Sequence, residues 1–562
     1  MTLPADALPA VFAGQRRTWL LALLGNGVAR ALLAGVLVLA VRALVQPAAA
    51  LWSWAPAAPW WLAIMAVGVA ASAWLRQRET VDAEALAQHY IAHVRLRLFD
   101  HLTRLSLAVA QQRSRGGVLM RFIGDVQALR AWVGRGIATL LVAGSTLILL
   151  LALLAWLAPL LAAGVGVLSL LLALALGRLH AGLFDATVLA RDRQAGIAAS
   201  MGDRIAALPT LQMAGQAERE RTRLRRQNRR LRQALQTRAE WRGRHRALVA
   251  MATGGATLMM AAFAGWQVAH GTGLGQAGSV FGVAVVVGLM VGPLRDLGRV
   301  AETWVAARVA RQRVQEFLAV PSLPPAGREP LPSGAAVMRV QVPVVAERVR
   351  GPDAWVLPGR RVAICGPSGA GKTSLLLALA GLEPLSDGAV QLDGVSLAAL
   401  GPTARARAVA LLSPDLPLMR GSVRENLLYH GAEPEPALLQ RCLALSGLDV
   451  MLARWPQGLR TRVRDAGCNL SHGERRALQL ARALMAEPAV LLIDDVHACL
   501  PGEAEAALAG LIGAWPGTLI YSTQDAVLAT MADEVWVLDG GQVKDAWAVR
   551  GVAAAPIKPL HH

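Results

Sequence analysis

The sequence predicts a chain in two parts, a helical membrane domain with six transmembrane helices and, after it, an α/β domain with a largely parallel sheet. Hydrophobic residues make up 54% of the 562 residues and charged residues 17%, a composition too apolar for an ordinary soluble protein. The apolar residues before residue 295 fall into six long runs. After residue 335, shorter apolar runs at 489–493, 519–521 and 535–538 alternate with helical patterns, as in a parallel α/β sheet.

The six apolar runs have about the length needed to cross a bilayer, roughly 20 residues per helix. They cover residues 19–45, 59–75, 136–156, 159–177, 247–269 and 279–294. No obvious cleavage site of small residues follows the first run, so we interpret it as a retained helix and not as a signal peptide.

The charges between the runs predict the orientation of the membrane domain. The segments 46–58, 155–159 and 270–278 contain no Asp, Glu, Lys or Arg, whereas 76–135 and 178–246 are rich in Arg. By the positive-inside rule, the uncharged loops face outward and both termini are cytoplasmic. The same Arg excess explains the net charge of +19, so we expect no nucleic-acid partner. For the densest Arg run, 219–232, a solvated helix face is favoured over binding of lipid headgroups.

Two features of the membrane domain allow alternative interpretations. Arg30 lies inside the first apolar run, where a charge is costly, so it faces either a water-filled cavity with a substrate or gating role, or a polar partner on another helix. A second feature is a cluster of tryptophans near the outer ends of the first two runs, interpreted as an interfacial belt with a substrate portal as the alternative. The cluster contains Trp52, Trp54, Trp60 and Trp61.

A glycine-rich loop in the α/β part matches the pattern G-x-x-x-x-G-K-[ST] between a β-branched apolar run and a helical pattern. Backbone N–H groups of such a loop cradle phosphates, Lys372 can reach the β- and γ-phosphates, and the Thr373 hydroxyl can bind Mg²⁺. The motif predicts a P-loop NTPase nucleotide-binding domain with ATP and Mg²⁺ as cofactors. The predicted cradle consists of Gly366, Pro367, Ser368, Gly369, Ala370, Gly371, Lys372, Thr373 and Ser374.

Proline-rich sequence after residue 320 predicts the boundary between the two parts. We divide the chain into a transmembrane domain at 1–318 with two long intracellular loops, a linker at 319–334, a nucleotide-binding domain at 335–545 and a poorly ordered tail at 546–562. All four cysteines lie in the C-terminal part without metal-ligand spacing, and we expect them to be reduced and structural.

At this point the chain resembles the ATP-binding cassette (ABC) exporter half-transporters over nearly its whole length. Residues 470–474, Leu-Ser-His-Gly-Glu, resemble the family signature, and 490–495, ending in Asp494 and Asp495, resemble the Walker B strand. Residues 421–427 resemble the stretch after the family's glutamine loop, and 95–99, 124–126 and 208–212 are similar to parts of its intracellular loops.

The resemblance implies a multi-pass protein of the bacterial inner (plasma) membrane that works as a dimer with its nucleotide-binding domain in the cytoplasm. Each ATP of such a dimer lies between the Walker A loop of one chain and the signature of the other. Ser471, Gly473 and Glu474 would therefore complete the partner's site, while Thr373 and Asp494 would hold Mg²⁺. A carboxylate that ends a buried strand is a suitable Mg²⁺ partner.

The sequence departs from the family pattern at the positions that act on the bound ATP. Asp495 replaces a Glu that orients water, and Gln524 replaces a histidine that can become a cation. The glutamine of the family loop falls at Ser413 or Pro414, and an Asp after Walker B is replaced by Pro501. In the signature, His472 replaces a Gly.

One further departure concerns the adenine ring. No aromatic residue for adenine stacking occurs between residues 339 and 354, and we expect Trp355 to pack in the core.

These departures predict an ABC-type ATPase that binds ATP and hydrolyses it slowly in its own site, where Asp495 and Gln524 are the candidate catalytic residues. We favour export by a heterodimer whose partner half-transporter supports most turnover. A slow homodimer and an ATP-binding membrane regulator that does not pump are the alternatives. The bilayer surrounds the protein, and the substrate class, whether small molecule, lipid or peptide, stays open.

Overall fold

The computed structural model describes residues 14–45, 58–111, 118–119, 121–269, 277–324, 327–330, 337–341, 349–383, 388–430, 434–500, 502 and 504–548. The chain divides into two compact units, one of residues 1–103 with 111–320 and one of residues 104–110 with 321–562. Trp52, Trp54, Pro501, most of the predicted tail and parts of the linker lie outside the described residues.

The described part of the first unit is helical. Two π-helical turns, Arg121–Asp125 and Trp132–Ile137, flank the short α-helix Val126–Ala131. Helix α3 contributes its first residues to the second unit. The α-helices are α1 (Arg16–Val45), α2 (Ala58–Leu102), α3 (Leu107–Gln111), α4 (Val126–Ala131), α5 (Ala138–Leu157), α6 (Pro159–Ala206), α7 (Leu208–Met213), α8 (Ala217–Ala269) and α9 (Ala277–Leu318).

Five helical segments in the described residues are long and apolar enough to cross a membrane. They are Arg16–Arg42, Arg121–Leu157, Pro159–Ile205, Ala217–Gln267 and Val280–Leu318. The remaining predicted span, 59–75, forms the N-terminal part of α2 and is followed at once by Arg76. The membrane-type helical architecture is therefore confirmed, with five of the six predicted spans meeting the criteria of length and hydropathy in this region.

Arg30 pairs with a residue of the neighbouring helix. Its Nη2 lies 2.6 Å from Oε2 of Glu79 on α2, and the two side chains are 20% and 23% exposed. Because a charge inside an apolar helix needs a compensating partner, this ion pair accounts for Arg30 as a contact between helices. Of the two interpretations that the sequence allowed, the geometry favours structural pairing.

Helices α8 and α9 pack closely, and a glycine sets their separation. Gly298 on α9 faces Val249 on α8, and a Cβ atom at this glycine would overlap the valine methyl groups. Such small residues let two helix backbones approach closely. This packing positions the residues on either side of the contact, including His245, which is 1% exposed.

The second unit contains two larger sheets and a two-stranded ribbon. A six-stranded sheet has the order β12-β11-β3-β10-β9-β6, parallel except for β12, and an antiparallel sheet has the order β2-β1-β4-β5. The strands are β1 (Met338–Gln341), β2 (Asp353–Val356), β3 (Arg361–Cys365), β4 (Val390–Leu392), β5 (Val395–Ser396), β6 (Val409–Leu412), β7 (Gly421–Ser422), β8 (Arg462–Val463), β9 (Val490–Ile493), β10 (Thr518–Thr523), β11 (Glu534–Asp539) and β12 (Gln542–Ala548). The predicted α/β domain with a largely parallel sheet is confirmed.

Helices cover the parallel sheet. They are α10 (Lys372–Leu379), α11 (Pro402–Ala408), α12 (Val423–Leu427), α13 (Pro436–Ser446), α14 (Leu448–Leu452), α15 (His472–Leu484), α16 (Val496–Cys499), α17 (Ala504–Ala514) and α18 (Ala526–Thr530). Short 3₁₀ turns lie at Leu428–His430, Gly458–Arg460 and Asp465–Gly467.

The core of this unit has two hydrophobic clusters, one on each face of the six-stranded sheet. Successive residues of β9 alternate between them, since Leu491 and Ile493 belong to one cluster and Val490 and Leu492 to the other. All residues of β9 and β10 are buried, which explains why these strands appear in the sequence as continuous apolar runs. The carboxyl ends of the same strands converge at one edge of the sheet, where the candidate site lies.

Candidate nucleotide-binding site

The glycine-rich loop connects β3 to α10, and three of its glycines have left-handed backbone conformations. The φ angles are 148° at Gly366, 82° at Gly369 and 101° at Gly371. A Cβ atom at Gly366 would overlap the carbonyl oxygen of Leu538, and one at Gly371 would press against Val349. The loop can therefore take this shape only with glycine at these positions.

Lys372 is the first residue of α10, and its ammonium group lies over the loop. Its Nζ donates hydrogen bonds to the carbonyl oxygens of Gly366, at 2.7 Å, and Pro367, at 2.9 Å. The beginning of α10 adds the positive end of the helix dipole. The ammonium group and the helix N-terminus place positive charge at the loop, as in sites that bind phosphate.

Asp494 follows β9 and is the centre of a cluster of hydroxyl groups. The hydroxyls of Thr373 and Ser522 donate to its Oδ1 at 3.0 and 3.2 Å, and that of Ser413 donates to its Oδ2 at 3.3 Å. Asp494 is 6% exposed, and this burial raises the pKa of its carboxyl group above the ordinary value, while the hydroxyl hydrogen bonds act in the opposite direction.

The residues of this cluster fit a Mg²⁺ ion. Mg²⁺ prefers oxygen ligands such as hydroxyl and carboxylate oxygens. The Thr373 hydroxyl, in the first turn after the glycine-rich loop, lies 3.0 Å from the Asp494 carboxylate. A buried carboxylate whose charge is poorly solvated also gains from a cation beside it.

Asp495 has its carboxylate turned toward its own helix. The residue has φ 63° and ψ 96°, and its Oδ1 accepts hydrogen bonds from the backbone N–H groups of His497, at 3.1 Å, and Ala498, at 3.3 Å. Its own N–H donates to the Ser522 hydroxyl at 2.8 Å. The carboxylate thus caps α16, and two of its hydrogen-bonding positions are used by the backbone.

Three further residues at this edge of the sheet are Gln524, Ser413 and Cys499. Gln524 is exposed directly after β10. Ser413 is 1% exposed and packs against Asp494, so a short hydroxyl occupies the position where a long amide was expected. Cys499 is buried next to Asp494 and donates from its thiol to the Asp494 carbonyl oxygen at 3.1 Å. Burial raises the pKa of this thiol to about 12, so it is protonated and structural at neutral pH.

His497 is a residue at this edge that the sequence reasoning missed. Its Nε2 lies 3.6 Å from Oδ2 of Asp525, the residue after Gln524, and both side chains are partly exposed. The pair connects the segment after β9 to the segment after β10. A histidine two residues after Asp495 was the available signal, but only the sheet brings it near Asp525.

The residues that resemble the signature lie at the beginning of α15 and are not part of the hydroxyl cluster around Asp494. Ser471 caps the helix by accepting a hydrogen bond from the Glu474 N–H at 3.2 Å, and Glu474 accepts one from the Ser471 N–H at 2.7 Å. Trp455 Nε1 donates to the second carboxylate oxygen of Glu474 at 3.0 Å. These bonds hold the pKa of Glu474 below its ordinary value, the backbone bond from Ser471 contributing most. His472 is exposed, and Gly473 makes no contact that would forbid a side chain.

The prediction that Trp355 packs in the core is wrong. The side chain is 59% exposed, and the Arg339 guanidinium lies 5.0 Å from its ring centroid. The reason is the alternation of β2, where Ala354 and Val356 point into the core and Trp355 points away from it.

The four cysteines are free thiols in the structure, and they differ in exposure. Cys442 and Cys499 are buried and Cys365 is partly buried. Cys468 is exposed, so a structural role in packing does not extend to this residue.

Comparison with known proteins finds a family match for each of the two parts of the chain. The family model for the ABC transporter domain matches residues 351–498, and the model for the ABC transporter transmembrane region matches residues 20–294. A solved structure of a bacterial Atm1-family ABC exporter with ATP bound superposes with a TM-score of 0.77 at 20% identity, covering 94% of this chain and 95% of that one. At this identity the likeness shows the fold.

Curated relatives match over shorter stretches. The mycobactin import ATP-binding/permease protein IrtB of Mycolicibacterium thermoresistibile is 33% identical over 293 residues, 50% of each chain. A multidrug efflux ATP-binding/permease protein of Mycobacterium tuberculosis is 26% identical over 501 residues, 87% of this chain and 41% of the relative. The matched part thus spans about half the length of these relatives. The chain belongs to the ATP-binding cassette transporter family and joins a transmembrane region to one ATP-binding domain in an exporter-type fold.

Proposed function

We propose that this chain is one half of an ATP-driven transporter, and that its own phosphate loop binds Mg²⁺ and ATP but hydrolyses ATP slowly. The observation that carries the proposal is the Asp495 carboxylate, which accepts two backbone hydrogen bonds from α16. The Asp495 side chain is one methylene shorter than that of Glu, and its Oδ1 already accepts two hydrogen bonds. Misplacing an attacking water by about 1 Å can cost on the order of 100-fold in rate.

The groups that would hold the phosphates and the Mg²⁺ are present. Backbone N–H groups of the loop and the Lys372 ammonium would hold the phosphates, and the Thr373 hydroxyl and Asp494 carboxylate would hold the Mg²⁺, which would neutralise charge on the γ-phosphate. Gln524 is exposed directly after β10 and has no titratable group, so it cannot place a positive charge near the transferred phosphoryl group. We therefore expect this site to bind ATP and to hydrolyse it slowly.

The partner of this chain is proposed to be a second half-transporter, with a heterodimer favoured over a homodimer. Ser471 begins α15 on the protein surface, where its helix N-terminus could meet phosphate held by another chain. In a heterodimer the partner's loop would supply the turnover that this chain's loop lacks. A homodimer would contain two slow sites.

Export from the cytoplasm is the proposed direction, with both termini and the ATP-binding domain inside. The distribution of Arg between the long and short loops supports the orientation. The exporter-type fold supports the direction. The relatives differ in direction by their names, one being an import protein and another an efflux protein, so direction is a separate point of the proposal.

The test compares ATP hydrolysis by the purified chain alone with hydrolysis by the chain copurified with a half-transporter encoded next to it. We expect slow hydrolysis alone, about 100-fold faster hydrolysis in the pair, and ATP-driven uptake into inside-out vesicles. Robust hydrolysis by the chain alone would contradict the slow site. ATP binding without any vesicle uptake by either form would instead indicate a regulator.

Replacing Asp494 with Asn is expected to stabilise the nucleotide-free protein and remove its response to Mg²⁺ and ATP. The folded-state pKa of Asp494 lies above its unfolded value, so ionisation costs folding free energy at neutral pH. An isosteric neutral amide relieves this cost, which we expect to raise the apparent unfolding temperature by about 2–4 °C. Thermal unfolding with and without Mg²⁺ and ATP measures both effects, and Asp465→Asn in a surface turn is the control. A lower unfolding temperature for Asp494→Asn in the absence of nucleotide would argue against this view of the cluster.

Ser471 offers a substitution that separates folding from closure of the partner's site. Ser471→Ala removes the helix cap and is expected to cost about 1 kcal/mol of stability, whereas Ser471→Asp keeps a capping oxygen. If α15 faces the partner's ATP, the added negative charge of Ser471→Asp should still weaken ATP-dependent association of the two chains by about tenfold. Crosslinking or native mass spectrometry with and without ATP reads this out. Association unchanged in Ser471→Asp would place the signature away from phosphate.

A further inference from the structure

A basic cleft lies between α8 and α9 in the membrane unit. Its volume is about 330 Å³, at the lower end of the range for ligand sites. Successive turns of the two helices line it, and the spacing puts the residues of each helix on one face. They are His245, Arg246, Val249 and Ala250 of α8 and Arg295, Gly298, Arg299 and Glu302 of α9.

His245 is the buried polar group of this cleft. The side chain is 1% exposed, and neither Nδ1 nor Nε2 has a hydrogen-bond partner among the described residues. A buried imidazole without partners is costly, because it loses its bonds to water and gains none from the protein. Its position in the wall of a cleft suggests that a bound molecule supplies the missing contact.

The lining carries an excess of positive charge, three Arg against one Glu. Glu302 is 13% exposed and is already paired, with Arg246 Nε at 3.1 Å and Arg242 Nε at 3.6 Å. Arg299 lies 3.0 Å from Asp296. Arg295 is exposed and has neither an ion pair nor a hydrogen-bond partner within the described part of the chain. An uncompensated guanidinium and an unpartnered imidazole that line the same cleft favour an anionic ligand.

The position along the helices suggests where this ligand comes from. His245 and Arg246 immediately precede the apolar run 247–269, and Arg295 immediately follows the run 279–294. The cleft is thus at the boundary of two spans, the depth at which lipid head groups and the polar ends of amphipathic molecules lie.

We propose that this cleft binds an anionic oxygen-bearing head group, a phosphate or carboxylate, carried either by a membrane lipid or by a transported molecule. Arg295 supplies the charge and His245 a hydrogen bond at the base of the cleft. Binding does not depend on ATP turnover, and only the identification of the ligand as cargo rests on the proposed transport function.

The test uses the full-length protein, with any partner chain that copurifies, in phosphatidylcholine nanodiscs and with the phosphate loop saturated by a non-hydrolysable ATP analogue. One arm measures the immobilised fraction of spin-labelled phosphatidylglycerol against spin-labelled phosphatidylcholine. The other titrates phenyl phosphate and follows the apparent unfolding temperature. Selectivity for phosphatidylglycerol identifies a lipid ligand, and binding of phenyl phosphate without that selectivity identifies a soluble one.

Two variants that change the charge of the cleft in opposite directions decide the proposal. Arg295→Gln should weaken anion binding about fivefold, and Glu302→Gln, which removes the competing carboxylate, should strengthen it by about the same factor. Arg229→Gln, an exposed position on α8 outside the cleft, removes the same charge and should change binding less than about twofold. If Glu302→Gln unfolds the protein, Arg295→Gln still decides, because its side chain is exposed.

Unchanged binding in Arg295→Gln in both arms would overturn the proposal. An equal loss in Arg229→Gln would also overturn it, since it would show general attraction to a basic surface. Both outcomes leave the proposed ATP-driven function untouched, because neither measurement involves hydrolysis.

Discussion

Lys372→Ala is expected to weaken ATP binding at this chain's loop by about 100-fold. The ammonium is held over the loop by the carbonyls of Gly366 and Pro367, and losing a partly buried charge from a phosphate site costs about 2–5 kcal/mol. Photolabelling with azido-ATP, followed by peptide mapping to this chain, measures the loss at this loop apart from any site on a partner.

Lys544→Ala is the matched control for this substitution. Lys544 is an exposed lysine of β12 that lies 2.5 Å from Asp539 and is not part of the glycine-rich loop, so its loss removes the same charge from a residue outside the predicted cradle. Labelling of Lys544→Ala should equal that of the wild type. Normal labelling of Lys372→Ala, with the protein folded, would mean that the loop is not the nucleotide cradle.

Rebuilding the catalytic group is expected to raise ATP hydrolysis. In Asp495→Glu combined with Gln524→His, the longer carboxylate can extend beyond the cap and the histidine can carry a positive charge near the γ-phosphate. General acid–base groups contribute about 10²- to 10⁴-fold, so a gain of at least about tenfold at this loop is expected from restoring two of the substituted positions. Single-turnover hydrolysis, with a partner's loop inactivated where one is present, measures it.

The control for the rebuilt site is Asp495→Asn. Asn can also accept the hydrogen bonds from His497 N–H and Ala498 N–H, so the cap and the fold should persist. If the carboxylate serves mainly as a cap, hydrolysis should change less than about threefold. A loss of about 100-fold in Asp495→Asn would show that Asp495 activates water well, and the slow-site proposal would then fail.

The sequence alone was sufficient for the architecture and for the position of the glycine-rich loop. The apolar runs are set by the length of a bilayer crossing, and the glycine pattern is set by a loop whose backbone must take positive φ values. Both are local properties of the chain. The parallel sheet was also readable, because β9 and β10 are buried on both faces and therefore continuously apolar.

The span at 59–75 shows a limit of local patterns. This run is 17 residues long before Arg76, so the membrane helix and its polar extension merge into one helix, α2. The sequence shows where the apolar part ends, at Leu75, but only the structure shows that the helix continues without a break to Leu102.

What only the tertiary structure decided depends on contacts between distant residues. Asp494 accepts hydrogen bonds from Ser413, Thr373 and Ser522 because the strands that carry or precede these residues end at the same edge of the sheet. Trp355 was misplaced because a two-residue alternation determines its side, and the sequence does not show which face of β2 is covered.

The direction of the Asp495 carboxylate and the unpaired state of His245 are further results of this kind. The residue type at 495 was known, but only its backbone conformation shows that the carboxylate caps α16. His245 has unpartnered nitrogens, and it lies on α8 one turn before Val249, which packs against Gly298 of α9, 49 positions further along the chain. Sequence thus determined which chemical groups this transporter has, and long-range packing determined which of them are engaged and which remain free to act.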